Sequence, residues 1–445
     1  MTVRASPEGS PVAASLTFIG TCDLVAITRG RAIRSDELAD HLRRGVGWVP
    51  ADLAQTTFGS LAVPNPFGSL GDIRLLPVES AECRLPGVDG RPSTQLVLAD
   101  IVHPDGRPWE CCPRHALAEA VRDLDDRFGL RVVAAFEQEF TLRGLTPDAP
   151  FSIEAHRVAE PFGSELVETL HASGFEPETW LPEYGAGQYE ITIGPADAMT
   201  AADRAILTRA IARDLAASHG MRAVFAPLVR PDAVGNGVHV HLSVWDRAGR
   251  PVTLDPETSE PSTPAQRFVA GILAHAGALV AWTAPSVVSS IRLAPGRWSS
   301  AAAFFGHMNR EALVRLCPVT TLGDARTLEM ANLEYRACDA TANPWLVLAA
   351  LIRAGIDGLQ RELPAPALVE GDLDAIGPAD RDRLGIVDLP RDLEAAQAAL
   401  EEDAAARSWF AAQLLATHLS IRRTESRELT AMTPEERCRR YADVI

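Results

Sequence analysis

No lysine occurs anywhere in this 445-residue chain, so all 42 basic residues are arginine. That absence excludes a lysine Schiff base, a lysyl–nucleotide intermediate and a P-loop lysine on a nucleotide phosphate. Any bound anion must be held by arginine forks, which stay charged and match planar carboxylates and phosphates. Positive charge is scarce overall. Against the arginines stand 59 acidic residues, for a formal net charge of −17. Nucleic acid is therefore not an expected partner, because phosphate neutralisation needs a basic surface.

Other absences narrow the class further. The seven cysteines (22, 83, 111, 112, 317, 338 and 438) include no C-x-x-C pair, which argues against a zinc ribbon or a disulfide framework. The vicinal Cys111–Cys112 reads as packing rather than a redox switch. The first residues, MTVRASPEGSPVAAS, carry one arginine and no apolar core, so no signal peptide is expected. The longest apolar stretch, Phe268 to Val280, is interrupted by His275. It falls short of the ~20 residues that a membrane span needs, so no membrane partner is expected. A reduced, cytoplasmic enzyme is the expectation these limits leave.

What is present is an ordinary globular composition, 47% hydrophobic and 23% charged. VPNPFGSLG (63–71) reads as an exposed loop, while Asp72–Val78 and Ser93–Ile101 are strand-like. At Trp109 the texture changes, and Pro113 opens a helical pattern, RHALAEAVRDLDDRF. The division predicted is an N-terminal domain, 1–108, and a larger domain, 109–445. Glu370 to Pro390 reads as an acidic loop, and Leu393 to Ile421 as C-terminal helices.

Ligand-type residues concentrate in four segments. In RVVAAFEQEFTL, strand alternation puts Glu137 and Glu139 on one face. Glu183 and Glu190 flank a Gly-rich turn that can bring them together. In GNGVHVHLSV, His239, His241 and Ser243 share a face, and in NLEYRAC Glu334 and Arg336 do. Each fragment alone is weak. Five glutamates and one imidazole together suit Mg²⁺ or Mn²⁺ better than zinc, and a pair of such ions can clamp a nucleotide triphosphate. Arg292, Arg310, Arg315 and Arg336 complement them as phosphate or carboxylate grips, although NREALVR (309–315) also fits a surface helix.

The order ExE…E-x₆-E…GxHxH…RLxPG…NRxxxxR…ExRxxDxxANPxL, closing on Glu334 to Leu346, resembles the glutamine synthetase family across nearly the whole chain. The resemblance implies an α+β fold: an N-terminal β-grasp domain, and a catalytic domain with a curved antiparallel sheet and flanking helices. It implies ATP as co-substrate, two or three Mg²⁺ or Mn²⁺ ions, glutamate as substrate, and a homo-oligomer, a dodecamer in most members, with active sites between subunits. By position, Glu139, Glu183 and Glu190 resemble the ligands of the first metal, and Glu137, His239 and Glu334 those of the second. His241 and Ser243 resemble nucleotide contacts. Arg292 and Arg336, with Gly235 and Gly237, fall at the glutamate site, and Arg310 and Arg315 at the phosphate-contacting arginines.

Three departures bear on the substrate. Where ammonium-using members carry a flap glutamate, this chain has Trp298. Phe58 aligns, more loosely, with their N-terminal ammonium-site aspartate, and Val234 with a glutamate-contacting asparagine. A bare ammonium cation needs anionic partners, whereas aromatic rings suit an organic amine. The resemblance is thus closer to the γ-glutamyl–amine ligases, with polyamines less favoured because a dication calls for a more acidic lining. Ammonium use and a non-catalytic family member are the alternatives, and the complete metal set weighs against the second. No tyrosine lies between Leu351 and Ala431, so control by adenylylation is not expected.

Overall fold

The computed structural model describes residues 15–87, 92–297, 299–320, 322 and 327–445. An N-terminal sheet is built from β1 (Leu16–Cys22), β2 (Thr28–Arg34), β3 (Val46–Trp48), β4 (Ile73–Leu85) and β5 (Thr94–Val102), with alternating burial clearest along β4. Their order is β2-β1-β5-β4-β3, with β1 and β5 parallel and the other neighbours antiparallel. The 63–71 loop is exposed at Val63 and Leu70, but Phe67 turns inward, its ring 5.3 Å from that of Trp109. Beyond β5, the helix Pro113–Phe128 starts on a sulfur cap. Cys112 Sγ accepts from the amides of His115 (3.5 Å) and Ile101 (3.2 Å), so this buried cysteine closes a helix end.

A second sheet of eleven strands follows. Its members are β6 (Leu130–Arg143), β7 (Pro177–Pro182), β8 (Gln188–Ile193), β9 (Ala196–Asp197), β10 (Arg222–Val224), β11 (Val240–Asp246), β12 (Ala302–His307), β13 (Ala312–Leu316), β14 (Leu333–Tyr335), β15 (Leu368–Val369) and β16 (Val387–Asp388). The main path runs β15-β12-β13-β14-β11-β6-β8-β7. Three features differ from expectation. The sheet is mixed rather than wholly antiparallel, because β12 runs parallel to both β13 and β15. The chain turns back at Met308, whose φ is 51°, and starts β13 level with the start of β12. NREALVR, moreover, is not a surface helix: Ala312–Leu316 is a fully buried strand. The 370–390 region is also more ordered than a loop, holding the helix Pro378–Leu384 and β16.

The helix Pro344–Gln360 is buried along nearly its whole length, including Trp345 and Leu346. Burying such side chains stabilises by roughly 1.5–3 kcal/mol each. Its cap also joins the two sheets. Asn343 accepts from the Leu346 amide at 3.1 Å, and its own amide donates to the carbonyls of Cys22 and Asp23, both at 3.0 Å. The closing sequence element therefore fixes the end of β14, and with it Glu334 and Arg336, against the N-terminal sheet. Among the described residues no helix is long and apolar enough to cross a membrane.

Candidate active site

Strand register assembles the site. In the β6–β8 pair Glu139 lies directly opposite Glu190. On the other side of β6, β11 places His241 opposite Glu334, and β13 places Arg315 opposite the same glutamate. Glu137 and Glu139, two apart on β6, face both groups. Their amides donate to the carbonyls of His239 (3.0 Å) and Gly237 (3.3 Å), which extends the pairing beyond the end of β11.

On the β11–β14 side, negative charge is matched by the protein's own cations. Glu334, 1% exposed, receives Arg315 Nε on one oxygen and Arg336 Nη1 on the other. Burial pushes its pKa up, but Arg336 and then His239 outweigh this and hold it below the ordinary carboxylate range. His239 Nδ1 lies 2.9 Å from Glu137 Oε2 and 3.5 Å from Glu334 Oε1. His241 Nε2 lies 3.0 Å from the other oxygen of Glu137, and its Nδ1 is 2.8 Å from Asn332 Oδ1. Burial again raises the Glu137 pKa, but the two imidazoles override it and hold the group well down, while Glu137 carries His241 well above its usual value against burial.

On the β6–β8 side the carboxylates are less well matched, although Glu139 Oε1 lies 3.7 Å from His239 Nδ1. Burial first, then Glu137, Glu139 and Glu183, push the pKa of Glu190 up to about 10. Burial and Glu139 push Glu183 up to about 7. Like charges directly opposite in an antiparallel pair repel. A protein that keeps three such groups together fits a divalent cation, whose oxygen-ligand preference they meet.

The donors expected for the second metal do converge, and among the described residues Glu137, His241 and Glu334 also form a group whose donor atoms lie within 4.8 Å of one another. His241, expected to meet nucleotide, is thus as close to Glu137 as His239 is. Both imidazoles project from the same face of one strand, so spacing alone could not separate them.

The glycines are required by close approach. A Cβ on Gly235 would stand 2.8 Å from Arg292 Cγ, and one on Gly237 would stand 2.6 Å from Arg292 Nη2 and 3.0 Å from His239 Nε2. Arg292 is 2% exposed and donates to the carbonyls of Ala337 (3.1 Å) and Arg336 (3.2 Å). Reading by ligand type passed over Gln188. Its amide donates to Glu139 (3.1 Å), the Gly235 carbonyl (2.8 Å) and Asn236 (3.0 Å), which ties β6 to the glycine loop. The available signal was its position two residues before Glu190, on the same face of β8. Arg297 was also missed. It donates to the carbonyls of Ala233 (3.2 Å) and Pro231 (2.6 Å), fastening the 292–297 segment to the glycine loop.

These residues line a cavity of about 840 Å³, shared by Glu137, Glu139, Glu183, Glu190, His239 and all four expected arginines. A second cavity of about 650 Å³ also borders Glu137 and is lined by His241 and Ser243. Glu137 borders both. Val234 stands at the rim of the first cavity, 46% exposed. Phe58 is not in the lining; within one chain it packs on Tyr441, ring centroids 5.1 Å apart, beneath Arg440. Trp298 lies outside the described residues.

Carboxylates poised for divalent cations, arginine forks and two cavities meeting at one glutamate define a site for bringing a polyphosphate and a carboxylic acid together, the equipment of an ATP-dependent ligase. Residues 110–441 match the glutamine synthetase catalytic domain and 8–109 its N-terminal domain, so the chain belongs to the glutamine synthetase family. Members of that family are ligases that use ATP and divalent metals. Similar curated proteins include "Gamma-glutamylpolyamine synthetase GlnA3" of Streptomyces coelicolor, 33% identical over 91% of this chain and 88% of its own. Another is the glutamine synthetase of Methanocaldococcus jannaschii, 30% identical over 80% and 79%. Of the solved structures, "Crystal structure of novel glutamine synthase homolog" matches with TM-score 0.90 and 39% identity, covering 98% of this chain and all of its own. The "GmaS/ADP complex" matches with TM-score 0.80 and 26% identity, covering 94% and 95%.

Proposed function

We propose that this protein is an ATP-dependent ligase that joins the γ-carboxylate of glutamate to the nitrogen of an organic amine through a γ-glutamyl phosphate. The observation that carries the proposal is a combination. Five of the six ligand-type side chains line one cavity and the sixth, Glu334, lies 3.5 Å from His239 beside it, while the flap position that holds a glutamate in ammonium users is Trp298.

In this reading Glu139, Glu183 and Glu190 would hold one divalent ion, and Glu137, Glu334 and an imidazole, His239 by family position, would hold another. Bound there, Mg²⁺ or Mn²⁺ would neutralise phosphate oxygens during transfer. The protein's own groups do the rest. His241 and Ser243 face the nucleotide cavity. Arg292 and Arg336, buried and held by backbone carbonyls, orient the glutamate carboxylate in advance, and such preorganisation supplies much of the acceleration in transfers of this kind. Arg310 and Arg315 stabilise charge on the transferring phosphoryl group. Phe58 would reach an amine only from a neighbouring subunit, consistent with the ring-shaped homo-oligomer expected of the family.

A relative named for polyamines supports organic amines as a class, whereas several relatives of similar identity are named glutamine synthetase. The test is phosphate release with ATP, Mg²⁺ and glutamate across a panel of amines that includes ammonium. Turnover with ammonium equal to that with the best amine overturns the proposal. In the same assay, Trp298→Glu is expected to raise ammonium use.

A further inference from the structure

A third cavity, of about 980 Å³, adjoins the catalytic one. The two share Tyr184, Pro295, Gly296 and Arg310 in their linings, so these residues form the wall between them. Tyr184 is the large side chain of that wall. It directly follows Glu183, is 51% exposed, and stands edge-on to Phe151, itself 49% exposed, with ring centroids 4.7 Å apart. Phe151 lines only the catalytic side. Two large aromatic rings half open to solvent beside a carboxylate are unusual in a site that needs only to position a small cation; such rings pack against hydrocarbon and attract organic cations.

Beyond the wall the lining changes. Leu293, Ala294 and Met308 supply apolar surface. The charged groups there are of both signs, and Asp388 is paired with Arg391 at 3.4 Å. Nothing in this third cavity matches the stacked carboxylates around Glu190.

We infer that the third cavity receives the aliphatic arm of the amine substrate, and that Tyr184 sets how wide an arm can pass. The ligand class is a primary amine whose hydrocarbon arm extends past Tyr184, whether it ends in a methyl or in a second ammonium group. This rests on the organic-amine reading of the site and adds to it the place where the arm lies. The reacting nitrogen stays beside Glu183 and only the arm crosses the wall.

The experiment compares kcat/KM for ammonium, methylamine, hexylamine and putrescine in the wild type, in Tyr184→Ala and in Ala294→Phe, which fills the third cavity. A methylene in an apolar pocket is worth about tenfold or more in discrimination. Tyr184→Ala is expected to raise the ratio of long-arm to methylamine turnover by about tenfold, and Ala294→Phe to lower it by a similar factor, mainly through KM. Hexylamine and putrescine responding alike places the shared hydrocarbon arm there. If Tyr184→Ala does not fold, Ala294→Phe tests the same geometry with the opposite sign. Organic-amine turnover whose arm-length profile neither variant alters overturns this inference alone. Ammonium as the best substrate of the wild type overturns the organic-amine reading with it.

Discussion

The two halves of the site are built from the same residue type and handle it in opposite ways. Around Glu334 and Glu137 each carboxylate meets an arginine or an imidazole of the protein, and both pKa values are held down. Around Glu190 and Glu183 the carboxylates mainly meet one another, and both values are pushed up. In the metal-free protein the first half finds its counter-charges within the fold. The second is complete only when an outside cation arrives. The difference shows where the fold itself depends on these charges, namely at Glu334, and where it tolerates a repulsive cluster for the sake of a ligand.

The strongest way to break this comparison is to remove Glu334. In Glu334→Ala, the buried Arg315 and Arg336 lose their shared carboxylate. Truncating one partner of a buried ion pair costs about 3–5 kcal/mol. We expect a loss of that order in urea unfolding of the metal-free protein, together with loss of phosphate release. Stability within about 1 kcal/mol of wild type would show that the β11–β14 half is not held together by its charges.

A pH series comes next in size. Glu190 and Glu183 have folded pKa values, about 10 and about 7, above the ordinary 4.5. The folded, metal-free protein therefore binds more protons than the unfolded chain above pH ~4.5, so its stability falls as pH rises, through pH ~7 for Glu183 and toward pH ~10 for Glu190. The slope is bounded by about 1.4 kcal/mol per pH unit for each full proton, and the partly exposed Glu183 contributes less. Saturating Mg²⁺ requires deprotonated ligands, so the rise in Tm it gives should be larger at pH 8 than at pH 6, with protons released on binding. Calorimetry in buffers of different ionisation enthalpy measures the release. No release at pH 7 would remove the contrast between the halves.

Much of this site was legible in the sequence because its parts are local. Two glutamates two apart on an apolar run, two histidines two apart, and a glycine turn between glutamates each report a face or a bend from neighbouring residues alone. What was not legible is register. That Glu139 faces Glu190 depends on how β6 meets β8, some fifty residues later. Gln188 escaped notice for the same reason, since its partners on β6 and in the glycine loop come together only in the folded sheet. NREALVR could be read as helix because its spacing suits either period, and only burial on both faces made it β13. The division between 1–108 and 109–445 was drawn from a change in texture, yet Asn343 and Arg422 bind the carbonyls of Cys22 and Leu24 across it.

The smallest expected effect is the most discriminating. Glu190→Gln keeps the shape of the side chain but cannot ionise, so it contributes no charge to the unmatched half at any pH. With its pKa pushed up to about 10, Glu190 must take up a proton when the metal-free chain folds at pH 8, a cost that the neutral amide avoids. The metal-free variant should therefore be slightly more stable than wild type at pH 8, the opposite sign to Glu334→Ala, while its Mg²⁺ affinity and turnover fall. The stabilisation should shrink toward pH 5, where the unfolded wild-type chain also begins to hold that proton. Equilibrium unfolding at the two pH values, with and without Mg²⁺, separates the terms. A destabilised metal-free variant at pH 8 would mean that Glu190 is held by contacts inside the protein, and the two halves of the site would then be built alike.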